Sequence, residues 1–138
     1  MIDPENEASA RVAARLHDDL VAWLITVAPD GTPMPTPVWF WWDGETLLIY
    51  SQPGKPKLRN IKVNPHVAVA LRTDALATEL AVITGDAAID TAAPKADDHA
   101  EYIAKYTGEI HRLGSDPVAF AASYSVPIRV TPSRLRAE

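Results

Sequence analysis

A short basic segment has the residue types and spacing of an anion-binding site. Residues 51–60 begin where a strand is expected to end and continue into the start of a helix. Lys55, Lys57 and Arg59 place three positive charges there, and Ser51 adds a hydroxyl group. The free N–H groups at a helix N-terminus also attract anions. The segment is therefore suited to a phosphate group, although the same residues would equally form a solvated basic helix start.

A second segment is unusually rich in large aromatic side chains. Residues 35–42 read Pro-Thr-Pro-Val-Trp-Phe-Trp-Trp. In an extended strand, alternate side chains of residues 38–42 would point to opposite faces, and every one of them is bulky. Pro35 and Pro37 remove backbone donors nearby. This segment is predicted to be a core strand buried on both sides, or a strand with one face against a flat ligand or a second subunit.

The familiar constellations of enzyme chemistry are absent from the sequence. It contains no cysteine, no glycine-rich nucleotide loop of the G-x-G-x-x-G or Walker type and no G-x-S-x-G nucleophile turn. The four histidines are scattered, and none is paired at a metal-ligating spacing. Acids in the first turn of a helix explain the run Asp97-Asp98-His99 better than a metal cluster does. No metal site is expected.

Prolines that follow polar or small residues mark where helices begin. The predicted helices start at Asp3-Pro4 (to about Leu20), Lys55-Pro56 (ended by Asn64-Pro65), Ala93-Pro94 and Asp116-Pro117 (to Ala122). The third helix is expected to place Ala96, Ala100, Ile103 and Ala104 on its apolar side. These short helices would position the basic segment and cover a sheet.

The segments between the helices have strand character. Apolar and β-branched residues predict strands over residues 22–28, 36–42, 46–51, 67–73, 80–89 and 125–134. Asp43-Gly44 predicts a hairpin and Gly85 a bulge, whereas Pro127 and Pro132 favour a sheet edge for the last strand. Strands that meander through tight turns imply an antiparallel sheet, in a barrel or an α+β arrangement.

Composition limits the class of protein. The 138 residues, 47% of them hydrophobic, suffice for a single domain, 1–138, with its own core. The 13 Lys and Arg residues against 18 Asp and Glu residues give a formal charge of −5, which argues against a nucleic-acid partner. No apolar run reaches the roughly 18–20 residues of a membrane span, and the acidic residues 1–5 do not resemble a signal peptide. Together with the absence of cysteine, this predicts a cytoplasmic protein with no membrane partner.

Taken together, these segments resemble a known family. Residues 36–51 read T-P-V-W-F-x-W-D-G-x-x-x-x-I-Y-S, residues 55–65 read K-x-K-L-R-N-I-x-x-N-P, and V-A-V follows at 67–69. With S-V-P-I-R-V-T-P at 125–132, this order resembles the pyridoxamine 5′-phosphate oxidase-like flavoproteins. Within them it is most similar to the small actinobacterial branch that uses the deazaflavin coenzyme F-420.

The resemblance implies a fold and a site. It implies a mainly β, FMN-binding-like split β-barrel with short covering helices, working as a homodimer with cofactor sites at the subunit interface. The cofactor-binding residues that it implies are Ser51, Gln52, Lys55, Lys57, Arg59 and Asn60 for the phosphate, and Thr36, Pro37, Val38 and Trp39 for the flat ring.

The function that the resemblance implies is hydride transfer between coenzyme F-420 and an electron-poor carbon of a small organic molecule. A tyrosine, either Tyr50 or Tyr106, or water would supply the proton. Lys62, Arg72 and Arg129 are candidates to hold the acidic tail of the coenzyme. The alternatives are an FMN-dependent oxidase or reductase of the same fold, and a non-catalytic protein that binds the deazaflavin or a tetrapyrrole.

Overall fold

The structure, a computed structural model, describes residues 6–137 of the chain. Over these residues the helices are α1 (Glu7–Asp18), α2 (Pro56–Val63), α3 (Ala100–Arg112) and α4 (Pro117–Ser123), with a 3-10 turn at Ala96–Asp98. The strands are β1 (Ala22–Val27), β2 (Pro33–Val38), β3 (Trp41–Trp42), β4 (Leu47–Ser51), β5 (His66–Leu71), β6 (Ala81–Ile89) and β7 (Val126–Ala137).

All seven strands belong to one antiparallel sheet in the order β2-β1-β5-β6-β7-β4-β3. The sheet curls into a half-barrel, and the short helices pack against it. The predicted antiparallel barrel with covering helices is therefore confirmed. Within the described residues β2 and β3 are the edge strands, and each has a single neighbour.

Strand β4 connects the two hydrophobic clusters of the protein because each of its five residues is buried. Leu47 and Ile49 join the main cluster, to which α1 and α2 also contribute. Leu48 and Tyr50 face the other side, where α3 and α4 cover the sheet. The candidate site described below lies along this second cluster.

The predicted hairpin at Asp43-Gly44 and the predicted bulge at Gly85 are both present in the structure. The Asp43 carboxylate accepts the backbone N–H groups of Glu45 (2.8 Å) and Thr46 (2.6 Å), which closes the turn of the β3–β4 hairpin. Gly44 there has a φ of 99°, a conformation that favours glycine. The bulge predicted at Gly85 is confirmed, because the register between β6 and β7 shifts at that residue.

The starts of α1 and α3 are set by capping side chains and not by the prolines that precede them. The predicted start at Asp3-Pro4 falls outside the described residues; the Asn6 side chain caps α1, which ends at Asp18 and not near Leu20. The predicted start at Ala93-Pro94 is wrong: α3 begins only after His99, whose Nδ1 accepts the N–H of Tyr102 (3.1 Å). The apolar side expected for α3 is confirmed only in part: Ala96 is buried in the 3-10 turn and Ile103 packs against the second cluster, whereas Ala100 and Ala104 are exposed on α3. The buried residues of α3 are Tyr102, Tyr106 and Ile110, because larger side chains gain more from burial.

The single strand predicted over residues 36–42 is broken in two. β2 ends at Val38, and the backbone of Phe40 bonds to α3 instead of to a strand. The Phe40 N–H donates to the Tyr106 hydroxyl (2.9 Å), and its carbonyl accepts from Lys105 Nζ (3.0 Å). Side-chain groups of α3 thus replace the strand partner at this point.

The predicted alternation of the aromatic segment survives the break. Val38, Phe40 and Trp42 are buried in the main cluster. Trp39 and Trp41 point the other way and pack against the second cluster. From residue 38 onward the segment is therefore covered on both sides, as the sequence predicts.

The last strand lies inside the sheet, so its predicted place at an edge was wrong. β7 pairs with both β4 and β6. Pro127 lies beyond the last β6 pair, which involves Ile128, and its carbonyl accepts from the N–H of Asp90 (3.0 Å). Pro132 lies opposite Gly85, where the register is already interrupted. Pro132 thus lies at an interruption of the β6–β7 ladder, and Pro127 lies just past its end while it still pairs with Tyr50 of β4; a missing donor is tolerated at such positions.

Candidate functional site

A groove of about 270 Å³ opens between the end of β2, the start of α2 and the α3–α4 pair. The residues that line this aromatic groove are Pro37, Val38, Trp39, Tyr50, Lys57, Tyr102, Leu113, Phe120 and Tyr124. It joins the two segments that the sequence singles out, the aromatic strand and the basic helix start. With one cation and otherwise apolar or aromatic walls, it is shaped for a flat organic molecule that carries an anionic group.

Stacked rings make one wall of the aromatic groove rigid. The Trp39 ring stacks on Tyr106 at 4.7 Å between ring centroids and on Phe120 at 5.5 Å. Phe120 in turn stacks on Tyr124 at 4.5 Å. Such pairs contribute about 0.5–1.5 kcal/mol each beyond burial. The orientation of the Trp39 and Phe120 rings is therefore set before any molecule enters.

The edge of β2 brings backbone groups to the same groove. β2 pairs only with β1 among the described strands, so its outer edge has no strand partner there. Its prolines at 33, 35 and 37 are tolerated because an edge strand does not need every donor. Pro37 and Val38 reach the groove at the end of this free edge. A planar molecule can therefore lie along backbone as well as against side chains.

Lys57 is the cation of the aromatic groove. Its side chain is half-buried, and this burial, with a smaller effect of the neighbouring Lys55 charge, lowers the pKa of its ammonium group. Within residues 6–137 it has neither an ion pair nor a hydrogen-bond partner. No side chain caps the first turn of α2 either. A partly desolvated, unpaired cation beside a free helix N-terminus is suited to receive an anion.

The other predicted cations open onto a neighbouring surface. Lys55 and Arg59 are exposed and, with Lys62, line a shallow depression of about 370 Å³ along α2, called here the basic surface. Gln52 points towards α4, where its Nε2 donates to Ser123 Oγ (3.0 Å). Of the three cations predicted for the phosphate, the structure therefore brings only Lys57 into the aromatic groove.

Three further predicted residues do not line the groove. The Asn60 side chain is fully buried in the core, where its Nδ2 donates to Thr26 Oγ1 (3.0 Å) and ties α2 to β1. Ser51 is also buried, and its hydroxyl donates to the carbonyl of Gln52 (2.8 Å). Thr36 is half-buried within β2. Asn60 thus holds α2 to β1 through its Nδ2, while its Oδ1 is buried without a partner among the described residues, and the Ser51 hydroxyl bonds only to the neighbouring residue.

The helical aromatic residues of the groove were missed at the level of sequence. Tyr102 on α3, and Phe120 and Tyr124 at α4, form much of its wall. A signal for them existed, because Tyr102 and Tyr106 are four residues apart, as are Phe120 and Tyr124. Residues at this spacing share one face of a helix. Two aromatic faces on consecutive helices indicate a shared aromatic cluster.

The two tyrosines predicted as proton donors are both engaged. The Tyr50 hydroxyl lines the groove region but donates to the Pro94 carbonyl (2.7 Å), and burial raises its pKa to about 12. The Tyr106 hydroxyl accepts from the N–H of Phe40 and donates to the carbonyl of Leu20 (2.6 Å). Burial also raises the pKa of Tyr106 well above its usual range. Neither hydroxyl is free for a bound molecule in this arrangement.

The cations considered for an acidic tail differ in availability. Arg129 is engaged, since its Nε donates to Asp90 (3.0 Å) and its Nη1 lies 3.5 Å from a carboxylate oxygen of Asp43. Arg72 follows the end of β5, where its carbonyl accepts from Arg15. Lys62 belongs to the basic surface and has no ion pair among the described residues. Of the two cations without an ion pair among the described residues, Lys62 is the one that shares α2 with Lys57 of the groove.

Residues 6–137 contain neither a metal-binding cluster nor a membrane-spanning helix. No cluster of three or more His, Asp or Glu side chains there is arranged to hold a metal ion. No helix in that range combines the length and the apolar character needed to cross a membrane.

Comparison with known proteins identifies the chain's relatives. A family model described as pyridoxamine 5′-phosphate oxidase matches residues 8–137. Among solved structures, an F-420 reductase is 30% identical to this chain and superposes with a TM-score of 0.66. The match covers 89% of this chain and 94% of the reductase chain. A Listeria innocua protein described provisionally as a pyridoxamine 5′-phosphate oxidase is 25% identical, with coverages of 93% and 95% and a TM-score of 0.67. No curated protein matches the sequence.

The same fold also serves other purposes. The heme storage protein HutZ from Vibrio cholerae has a TM-score of 0.65 to this chain at 16% identity, with coverages of 96% and 95%. At that identity the likeness shows the fold alone. The comparisons together confirm the split β-barrel fold that the sequence predicts.

Proposed function

Because the chain belongs to the pyridoxamine 5′-phosphate oxidase family, we propose that it is an oxidoreductase that uses coenzyme F-420. The observation that carries the proposal is the unpaired, half-buried Lys57 at the aromatic groove. When bound, the reduced deazaflavin supplies a hydride for an electron-poor carbon, such as that of an enone, a quinone or an imine.

The chain's own residues bind and orient in this proposal. Lys57 and the first turn of α2 hold the phosphate by a charged hydrogen bond. The end of β2, from Pro37 to Trp39, positions the ring. The stacked aromatic wall excludes water, which strengthens the electrostatic contacts inside the groove. The groove lining contains no acid–base pair or activated nucleophile, and this agrees with chemistry supplied by a cofactor.

The basic surface favours coenzyme F-420 over FMN. Lys55, Arg59 and Lys62 are exposed along α2 and have no ion pair within the described residues. The coenzyme carries an acidic glutamate tail beyond its phosphate, and this surface lies next to Lys57 on the same helix. FMN ends at its phosphate and would leave these cations unused. The 30% identity to an F-420 reductase supports the same choice.

We further propose that the protein works as a homodimer with two such sites. The outer face of β1 presents Trp23, 46% exposed, in register with Pro37 of the edge strand. Exposed apolar surface beside a free edge is typical of an association site. The groove, at about 270 Å³, is also small against the roughly 300–1,000 Å³ of ligand pockets. A second copy would add the missing wall.

A fluorescence titration of the purified protein with F-420 and with FMN tests the choice of cofactor. We expect F-420 to bind more tightly than FMN, because only F-420 is long enough to reach the basic surface. Raising the salt concentration should weaken F-420 more than FMN, since more charged contacts are screened. A yellow protein that retains FMN and does not bind F-420 would establish the FMN alternative instead.

Turnover separates a catalyst from a carrier. Reduced F-420 is mixed with the protein and a panel of enones, quinones and imines, and its oxidation is followed by absorbance. The proposal expects protein-dependent oxidation with at least one class of acceptor. Tight binding of F-420 without any protein-dependent oxidation would favour a storage or shielding role.

A further inference from the structure

The hydroxyl group of Tyr102 lacks a hydrogen-bond partner within residues 6–137, although the residue is completely buried. Such groups are rare in folded proteins, because a buried hydroxyl without a partner retains the full cost of losing water. Tyr102 also belongs to the lining of the aromatic groove. A residue that borders the groove and carries an unbonded donor is a candidate to bond to what the groove receives.

The neighbouring tyrosines show that the fold can satisfy such groups. Tyr50 and Tyr106 belong to the same cluster, and each hydroxyl donates to a backbone carbonyl. The Tyr102 ring lies 4.9 Å from each of these two rings and is held by packing alone. Its ring therefore contributes to the core, whereas its hydroxyl contributes no bond to the described structure.

The chemistry of the hydroxyl defines what it would recognise. Burial raises the pKa of Tyr102 above its usual range, so the group stays protonated and acts as a donor. The surrounding rings are apolar, which strengthens a hydrogen bond and makes a buried anion costly. The matching partner is a neutral acceptor, and the flat wall of Trp39 and Phe120 selects a planar molecule. A carbonyl oxygen on a conjugated ring has both properties.

A side chain of the groove wall must move before a bound molecule can reach the Tyr102 hydroxyl. The Tyr102 oxygen is shielded from water in this structure. Tyr124 lines the same groove, is only partly buried, and makes no hydrogen bond through its hydroxyl within the described residues. It is held by stacking on Phe120. Because no hydrogen bond fixes its hydroxyl end, Tyr124 is a side chain of the wall that can turn to admit a bound molecule.

We propose that Tyr102 donates a hydrogen bond to a carbonyl oxygen of a planar, conjugated ring bound in the aromatic groove. The identity of that ring rests on the proposed function, which offers two sources: the deazaflavin itself and a quinone or enone acceptor. Both carry carbonyl groups on a flat conjugated system, and the experiment distinguishes them.

The test compares the wild type with Tyr102→Phe and uses Tyr50→Phe as the matched control. Thermal unfolding is measured first. Tyr50→Phe should lower Tm, because it removes the bond to Pro94. Tyr102→Phe should leave Tm unchanged or raise it, because no bond is lost. The binding of F-420 to each protein is then measured by calorimetric titration. The quinone 2-methyl-1,4-naphthoquinone and its carbonyl-free analogue 2-methylnaphthalene are titrated in the same way, both in the presence and in the absence of F-420.

Removing one neutral hydrogen bond should weaken binding about three- to tenfold. Weaker binding of F-420 to Tyr102→Phe identifies the deazaflavin as the carbonyl source. Unchanged F-420 binding with weaker quinone binding identifies the acceptor. In that case 2-methylnaphthalene should bind both proteins equally, since it has no oxygen to bond.

The outcomes that overturn this inference are separate from those that overturn the proposed function. If F-420 fails to bind but the quinone still depends on Tyr102, the proposed function falls and this inference stands. If Tyr102→Phe leaves F-420 and quinone binding unchanged, or if the wild type binds neither, the inference falls. A loss of Tm as large as that of Tyr50→Phe also overturns it, because it would show an internal partner.

Discussion

At the scale of single residues, Lys57 is expected to contribute the most to binding of the cofactor phosphate. A charged hydrogen bond to a phosphate contributes about 1.5–3 kcal/mol. Lys57→Ala is therefore expected to weaken binding of F-420, and of FMN if it binds, about 10- to 100-fold. The unfolding free energy should change by less than about 0.5 kcal/mol, because Leu58 and Ile61 anchor α2 in the core. Cofactor titration and urea unfolding measure the two quantities.

Lys62→Ala on the same helix is the matched control for Lys57. Lys62 is exposed on the basic surface and lies outside the groove. Its loss should affect F-420 only modestly and FMN not at all, because it can contact only the tail. Equal dissociation constants for the wild type and Lys57→Ala would show that Lys57 is an ordinary solvated charge and would remove the support for the phosphate site.

Lys105 is a second residue with an unusual environment. Its Nζ donates to the Phe40 carbonyl (3.0 Å) and lies 4.0 Å from the centroid of the Phe40 ring. Burial lowers the pKa of Lys105 to about 8, although the charges of Asp19 and Asp18 oppose this shift. The charged form is therefore disfavoured in the folded state relative to the unfolded chain.

This lowered pKa predicts a pH dependence of stability with a definite sign. Between pH 8 and the usual lysine pKa of 10.5 the unfolded chain binds more protons at this site than the folded protein, so stability rises with pH. Below pH 8 both states are protonated and the full cost is present. The unfolding free energy of the wild type minus that of Lys105→Met should therefore increase from pH 7 to pH 10.

Urea unfolding at both pH values measures this difference, with Lys95→Met as the exposed control. Lys95 is exposed and precedes the 3-10 turn. Its replacement should leave the difference between pH 7 and pH 10 unchanged. A Lys105→Met protein with the same pH dependence as the wild type would show that Lys105 ionises as an ordinary surface lysine.

At the scale of elements, the pairing of β6 with β7 requires a residue without a side chain at position 85. A Cβ atom at Gly85 would lie 2.2 Å from the backbone oxygen of Thr131. Backbone cannot move aside as a flexible side chain can, so Gly85→Ala must spread the bulge. We expect it to lower the unfolding free energy by about 1–3 kcal/mol or more, as measured by urea denaturation.

Gly108→Ala is the control for Gly85. Gly108 lies inside α3, and a Cβ atom there meets nothing within 4 Å. Because alanine is the better helix former, this change should stabilise the protein by about 0.5–1 kcal/mol. A Gly85→Ala protein as stable as Gly108→Ala would mean that the β6–β7 bulge is not tightly packed.

At the scale of the whole molecule, the proposed homodimer buries Trp23 at the subunit interface, where a charged residue would weaken association. Trp23→Arg would put a charge on the apolar outer face of β1, and burying an unpaired charge is costly. We expect the wild type to sediment as a species of twice the 15.0 kDa chain mass and the variant as a monomer. F-420 binding should also weaken, because Trp23 is in register with Pro37 of the groove.

Leu76→Arg provides the control for the dimer, since Leu76 is 82% exposed in the loop between β5 and β6. This variant should keep the sedimentation coefficient and the F-420 affinity of the wild type. A wild type that sediments at 15.0 kDa at micromolar concentration would rule out the homodimer and its interface sites.

The sequence by itself determined most of the local structure. The Asp43-Gly44 hairpin, the Gly85 bulge, the start of α2 after Lys55 and the start of α4 after Asp116 all follow from residues within a few positions of each other. Such features are set by backbone preferences and by short-range hydrogen bonds, which the sequence displays directly. The family resemblance added the fold, and the single domain over residues 1–138 stays a prediction.

Only the tertiary structure decided how the site is composed. It separated Lys57 from Lys55 and Arg59, turned Asn60 into the core and brought Tyr102 to the groove. It also enclosed β7 between two strands. The groove forms where β2, α2, α3 and α4 meet, and these elements are far apart in the chain. The direction of each side chain there depends on what packs against it, and no short stretch of sequence contains that information.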